Sequence, residues 1–237
     1  SEEGAPQGGP LSPLLNNIML HELDKELERR GHPFVRYADD ALIFCKSKRA
    51  ANRVRKSISS FLENLLYLKV NQEKTVVSYV QGIKYLGYSF RVSKGKCSLT
   101  VHPKSKTKLK SKLKELTKRS NGWGYEKRKQ KLNEYIRGWV GYFYLAEMKR
   151  LCMETDEWLR RRIRMCIWKS WKKTKTKIAN LIRCGINKYQ AYQWGNTRKG
   201  YWRIADSVIL KRAIPNISLK VAGYPCLRDL YLEWNLK

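Results

Sequence analysis

Apolar side chains recur along the N-terminal stretch at the period of a helix. Leu14, Leu15, Ile18, Leu23 and Leu27 follow Ser12-Pro13, a pair that reads as cap and first helical position, and the pattern runs to about Arg30. Gly31-His32-Pro33 ends it. Two short β-prone runs follow, residues 34–37 and 42–45, separated by Ala38-Asp39-Asp40-Ala41. A second amphipathic helix is expected over about 48–67, with Val54, Ile58, Phe61, Leu62 and Leu65 on its inner face. Strand-like pieces lie around 75–80, 83–91 and 97–101, punctuated by Gln81-Gly82 and Lys94-Gly95. The order helix–hairpin–helix–hairpin predicts an α+β module with an antiparallel sheet.

Past His102-Pro103 the pattern becomes helical throughout. Leu109, Leu113 and Leu116 form one stripe, with lysines from Lys104 to Lys118 on the other faces. Tyr135, Ile136, Trp139, Val140 and Phe143 form a second stripe. A third lies within 157–173, where Trp158, Leu159, Ile163, Cys166 and Ile167 alternate with arginines. A mainly helical second module is expected.

Charge sharpens this division. The 237 residues carry 50 Lys and Arg against 20 Asp and Glu, a formal +30. Residues 1–95 hold 15 of the basic and 10 of the acidic side chains, a net +5, whereas residues 96–237 hold the other 35 and 10, a net +25. All eight tryptophans, Trp123 to Trp234, fall in the second part. Two modules, 1–95 and 96–237, are therefore expected. Such a surplus calls for a polyanionic partner, because each phosphate contact releases counterions. Nucleic acid suits it better than an anionic membrane surface, since the basic residues are spread over several segments rather than gathered on one amphipathic helix. No apolar run approaches a transmembrane length. The six cysteines show no C-x-x-C spacing, which points to a reduced, cytoplasmic setting rather than a zinc site or a disulfide framework. The chain opens without Met, so N-terminal targeting is not assessable.

The run FVRYADDALIF places two acids amid apolar residues. In one continuous strand Asp39 and Asp40 would face opposite ways, and one would meet a core. If they stand at the bend of a hairpin, both can project from one end of the sheet. Asp suits turns for local reasons alone. Adjacent carboxylates, however, repel one another unless a cation sits between them, and Mg²⁺ commonly takes one or two carboxylates together with substrate phosphates.

Tyr37-Ala38-Asp39-Asp40 resembles the YxDD motif of reverse transcriptases, in the YADD form of group II intron-encoded proteins. Three further stretches resemble that family in the same order. Gly4-Ala5-Pro6-Gln7-Gly8-Gly9-Pro10-Leu11-Ser12-Pro13-Leu14-Leu15 resembles its PQG…SPLL segment. Leu68-Lys69-Val70-Asn71-Gln72-Glu73-Lys74-Thr75 resembles LxxNxxKT, and Ile83-Lys84-Tyr85-Leu86-Gly87-Tyr88 resembles the primer-grip hairpin. In the second half, Tyr135 to Phe143 resembles LRGWxxYF of the thumb and maturase (X) region. Trp158 to Arg164, Trp168 to Lys173, and Arg198 to Arg203 resemble its Arg- and Trp-rich segments.

The resemblance implies the later part of a polymerase palm over 1–95 and a thumb/maturase module over 96–237. It implies two-metal nucleotidyl transfer with Mg²⁺, Asp39 and Asp40 being the catalytic and metal-binding pair. Tyr37, Ala38, Gln7, Gly8 and Lys74 would lie at the nucleotide and template, and Tyr85, Leu86 and Gly87 at the primer end. Arg160, Arg161, Arg162, Arg164, Lys169, Trp171, Lys172 and Lys173 would meet intron RNA, with basic groups on phosphates and aromatic faces on unpaired bases. The implied partners are structured intron RNA, an RNA template/DNA primer duplex and dNTP, with no membrane. Family members carry a further catalytic aspartate on an earlier strand, expected upstream of Ser1, so these residues alone are not expected to polymerise. Two other readings stand beside this one: a non-catalytic RNA-binding splicing cofactor, and another YxDD enzyme of the retron or CRISPR-associated kind.

Overall fold

A computed structural model describes residues 10–236 of the chain. It divides into two compact units, Ser1–Leu86 and Gly87–Lys237.

The first unit opens on α1 (Ser12–Arg29). Ser12 is the first helical residue rather than the cap; Leu11 holds that position, without a side-chain cap bond, and Pro13 fills the first turn, where an N–H has no partner to lose. Gly31, at φ +66°, turns the chain into the hairpin β1 (Phe34–Tyr37) and β2 (Asp40–Ile43). α2 (Lys48–Asn64) follows, capped by Ser47, whose hydroxyl accepts from the Ala50 N–H at 3.2 Å. Leu23 and Leu27 of α1 meet Ile58 of α2, with Phe34 and Ile43 of the hairpin alongside. The rest of the apolar stripe of α1 is not used within this unit. Leu14, Leu15 and Ile18 are 56%, 54% and 61% exposed.

Two strand expectations change here. Residues 75–79 are irregular and a short 3₁₀ turn, Val80–Gly82, follows. Val76 and Tyr79 stand in solvent, so their β propensity has no packed surface to act on. The run 83–91 is not one strand. It breaks into β3 (Lys84–Tyr85) and β4 (Tyr88–Ser93) at Leu86 and Gly87, both with positive φ.

In the second unit β4 pairs antiparallel with β5 (Lys96–Val101), from Tyr88↔Val101 to Ser93↔Lys96. Lys94 (φ +50°) and Gly95 (φ +74°) form the tight turn, as a two-residue hairpin of matching twist requires. Charge composition changes near residue 95, but the β4–β5 pairing runs across it, and the division into compact units falls between Leu86 and Gly87. Helices α3 (Pro103–Leu116), α4 (Tyr125–Phe143) and α5 (Lys149–Ser170) supply the centre of the core. Leu109, Leu113, Leu132, Ile136, Val140, Leu159 and Ile163 are almost wholly enclosed. Six shorter helices complete the unit: α6 (Thr174–Arg183), α7 (Lys188–Gly195), α8 (Tyr201–Ile204), α9 (Val208–Ala213), α10 (Asn216–Val221) and α11 (Leu227–Asn235). No helix among the described residues is long and apolar enough to cross a membrane. The α+β class and the helical second module agree with the sequence pattern.

Candidate active site and nucleic-acid interface

In the first unit, Tyr37 pairs with Asp40, which leaves Ala38-Asp39 as a two-residue turn. Asp39 sits in the turn and Asp40 at the first position of β2, and both are exposed. Along β1 the alternation is regular: Phe34 and Arg36 are half-buried, while Val35 and Tyr37 face solvent. Ala38 has φ +50°, a left-handed conformation that costs an L-residue about 1 kcal/mol or more.

The strained turn is held from beneath by Arg36. Its guanidinium makes a paired bond to Asp24 of α1, Nε to Oδ1 at 2.8 Å and Nη2 to Oδ2 at 2.5 Å. Nη1 donates to Asn17 Oδ1 at 3.0 Å and to the Ala38 carbonyl at 3.1 Å. Both partners are well shielded, with side chains 12% and 20% exposed. The hydrogen-bonded Asp24 carboxylate raises the Arg36 pKa, so the charge is permanent. Tyr85 donates to the Asp40 carbonyl at 3.4 Å, a long contact. Burial raises the Tyr85 pKa, with the Asp40 charge adding to it and Arg36 opposing it.

Lys74 is exposed on a compact turn in which its N–H bonds both Asn71 Oδ1 and the Asn71 carbonyl, and Thr75 Oγ1 donates to that same carbonyl at 2.8 Å. Leu86 (φ +49°) and Gly87 (φ +82°) form a tight reversal after Tyr85. A Cβ on Gly87 would also come within 3.1 Å of Phe143, so only glycine fits. Gln7 and Gly8 lie outside the described residues.

Whether this turn suits Mg²⁺ follows from its donors. Two exposed carboxylates are hard oxygen ligands and match part of a Mg²⁺ shell. Among the described residues no group of three His, Cys, Asp or Glu side chains gathers to hold a metal, and Asp24 is committed to Arg36. The pair fits the ion as an open, shared site rather than a complete cage.

The second unit revises the expected RNA-contacting set. Arg164 is buried, its guanidinium donating to the Ile214 carbonyl at 2.9 Å and Asn216 Oδ1 at 2.6 Å. Burial lowers its pKa, as expected of a cation taken out of water. Arg162 bonds Thr117 Oγ1 and the carbonyls of Lys114 and Thr117. Arg161 donates to the Trp202 carbonyl, pairs with Asp206 and lies 3.9 Å over the Trp202 ring. Arg160 reaches Cys226 Sγ at 3.4 Å. Trp171 is 9% exposed and packs edge-on against Trp168. Arg164 and Trp171 therefore belong to the interior and offer nothing to RNA, and Arg160, Arg161 and Arg162 spend much of their donor capacity inside the protein. The arginine–tryptophan alternation is largely a scheme of internal struts. Of the expected set, Lys172 and Lys173 are exposed and Lys169 is half-buried.

Some surface was missed. Lys104, Lys108, Lys110 and Lys114 are exposed on α3, opposite its leucine stripe, and Tyr189 is 79% exposed on α7. The 3.6-residue period marks the lysine face. Nothing in sequence spacing marks Asp24 and Asn17 as the partners of Arg36.

Residues 1–90 match the reverse transcriptase (RNA-dependent DNA polymerase) family, and residues 106–185 match the group II intron, maturase-specific domain. Protein YkfC of Escherichia coli K12 is 30% identical over an alignment covering 37% of this chain and 32% of YkfC. The group II intron-encoded protein LtrA of Lactococcus lactis subsp. cremoris is 28% identical over 38% of this chain and 26% of LtrA. Protein P of a duck hepatitis B virus is 35% identical over 35% of this chain and 11% of its own length. The chain thus spans a third or less of each of these relatives.

Proposed function

Because this chain belongs to the group II intron reverse transcriptase/maturase family, we propose that its first unit carries part of a nucleotidyl-transfer site and its second unit binds intron RNA. The exposed Asp39–Asp40 pair on a braced two-residue turn carries the first half of this reading. On this view Asp39 and Asp40 hold Mg²⁺, two ions serving one reaction. Bound there, Mg²⁺ supplies charge neutralisation at the nucleotide phosphates and acidifies a primer 3′-hydroxyl. Tyr37 and Ala38 line the nucleotide side, Lys74 adds a positive charge for the phosphates, and Tyr85–Gly87 steady the primer end. We assign residues 1–95 to the palm and 96–237 to the thumb and maturase module.

The second half rests on the +25 of residues 96–237. Lys172, Lys173 and the lysine face of α3 are the groups that neutralise phosphates. The proposed partners are intron RNA, a template–primer duplex and dNTP. On this reading Asp39 and Asp40 form only part of a polymerase site, and this chain by itself is expected to bind RNA without extending a primer.

Primer extension with this chain and Mg²⁺ tests the assignment, with filter binding to a structured intron RNA beside it. RNA retention without extension is expected. Mg²⁺-dependent synthesis by the chain alone would overturn the shared-site reading. In a primer-extending form that carries these residues, Asp39→Ala is expected to abolish DNA synthesis and to spare RNA binding. Synthesis that survives that change would remove Asp39 from the reaction, and a parent protein that makes no DNA at all would leave only the non-catalytic splicing-cofactor reading.

A further inference from the structure

We propose that Arg36 is the positioning residue of the Asp39–Asp40 turn, with Asp24 and Asn17 of α1 as its anchor. This rests on the reading of the acid pair as a metal site and adds the device that aims it.

The turn has a conformational problem to solve. A two-residue hairpin favours positive φ at its first turn residue, but glycine or asparagine normally occupies that position, and alanine at φ +50° carries a steric cost there. Two like charges beside it add repulsion. Left alone, such a turn would relax, and the carboxylates would move with it.

The Ala38 carbonyl is the point at which the protein opposes that relaxation. It accepts from Arg36 Nη1 at 3.1 Å, and the same nitrogen donates to Asn17 Oδ1 at 3.0 Å. The other two guanidinium nitrogens used here are locked by both oxygens of Asp24. A planar fork gripped on two edges has no remaining rotational freedom, so the third contact inherits the rigidity of α1. Leu23, next to Asp24, and Leu27 are buried in the core of this unit, so the helix beneath the anchor is itself fixed. Asp24 is thus kept off any metal by its pairing with Arg36. Its charge serves to aim a cation at a carbonyl two residues along the hairpin.

The arrangement differs from an ordinary ion pair in a way that can be measured. An ion pair stabilises a fold whichever partner carries which sign. A positioning role needs a donor on the hairpin side, because a carbonyl can only accept.

The experiment uses the chain itself, below its melting temperature. Amide resonances of Ala38, Asp39 and Asp40 report the turn, the affinity for Mn²⁺ (followed by its electron paramagnetic signal) reports the site, and thermal unfolding reports the fold. Arg36→Lys keeps the charge and loses the fork; it is expected to displace the three amides and weaken Mn²⁺ binding about tenfold, in the range of lost metal-site support. The exchanged pair Asp24→Arg with Arg36→Asp is expected to recover melting temperature but neither the amide positions nor Mn²⁺ affinity. Ile58→Val, in the core, is expected to lower melting alone.

Recovery of all three readouts by the exchange would reduce Arg36 to a structural ion pair and overturn the proposal, as would amides that stay in place in Arg36→Lys. If Arg36→Lys does not fold, Asp24→Asn takes its place, and unmoved turn amides there overturn the proposal equally. Mn²⁺ binding that ignores Asp39→Ala would instead sink the metal reading, while the amide positions still decide the role of Arg36.

Discussion

A single methyl group sets the character of the hairpin turn. At Ala38 the left-handed backbone crowds Cβ against the carbonyl oxygen, a cost that glycine avoids at some loss of chain entropy. Ala38→Gly is expected to stabilise the first unit by about 0.5–1 kcal/mol. Amide hydrogen exchange in α1 and α2 measures this, and an unchanged or reduced protection would contradict the strain argument. At this scale the sequence was legible in part. The acids and their turn could be read from Asp39 and Asp40, since short polar side chains between two β-prone runs define a bend. The sign of φ at Ala38 could not, because no local preference of alanine puts it there; the paired strands and Arg36 do. Arg164 and Trp171 misled for a related reason. Their residue types suit RNA, but type does not say that Arg164 will reach Ile214 and Asn216 or that Trp171 will pack onto Trp168 of α5.

Elements in the second unit are joined by buried polar contacts as well as by leucine stripes. Asp156 of α5 is 2% exposed and accepts from the N–H groups of Leu227 at 2.8 Å and Arg228 at 2.9 Å, at the start of α11. A carboxylate at a helix N-terminus satisfies donors that have no partner within the helix. Burial nonetheless dominates and raises the Asp156 pKa above 3.8, against the hydrogen bonds from Arg228, Leu227 and Cys226 and the charge of Arg160. A raised pKa in the folded state means that the protonated acid favours folding. That contribution is complete below 3.8 and is lost as pH rises through the raised value. Asp156→Asn cannot titrate, so its stability relative to the unsubstituted chain is expected to improve as pH increases over this window. Urea unfolding followed by tryptophan fluorescence is the measurement, since every tryptophan lies between Trp123 and Trp234 and reports this unit alone. A stability difference that stays flat with pH would refute the account. Helices α3, α4 and α5 were readable as elements because each keeps an apolar stripe at 3.6-residue spacing. The irregular path of residues 75–79 was not, since a β-prone run becomes a strand only where another strand presents free backbone groups.

For the molecule as a whole, the net +30 is the feature that would draw a polyanion, and its exposed side chains are the ones that would set the affinity. Each phosphate neutralised on a single strand contributes about 0.7 to the slope of log affinity against log salt. The double change Lys172→Ala with Lys173→Ala is therefore expected to lower that slope by about 1.4 and leave the melting curve unaltered. Arg164→Ala is expected to do the opposite. Leaving the Ile214 carbonyl and Asn216 without their donor costs about 1–3 kcal/mol of stability, with the salt slope unchanged. Titrations of a structured intron RNA at several salt concentrations separate the two. Equal slopes for all three proteins would remove Lys172 and Lys173 from the interface.

The sequence by itself determined the α+β order, the helical second half, the surplus of positive charge and the place of the acid pair. Each of these depends on periodicity, summed charge or the chemistry of neighbouring residues, all of which are written along the chain. Only the tertiary structure decided that Arg36 reaches from Asp24 to the Ala38 carbonyl, that the arginines of α5 point largely into the protein, and that the second unit starts at Gly87. Those outcomes depend on which distant groups come within hydrogen-bond reach and which faces lose their water, and both are fixed only when the elements pack.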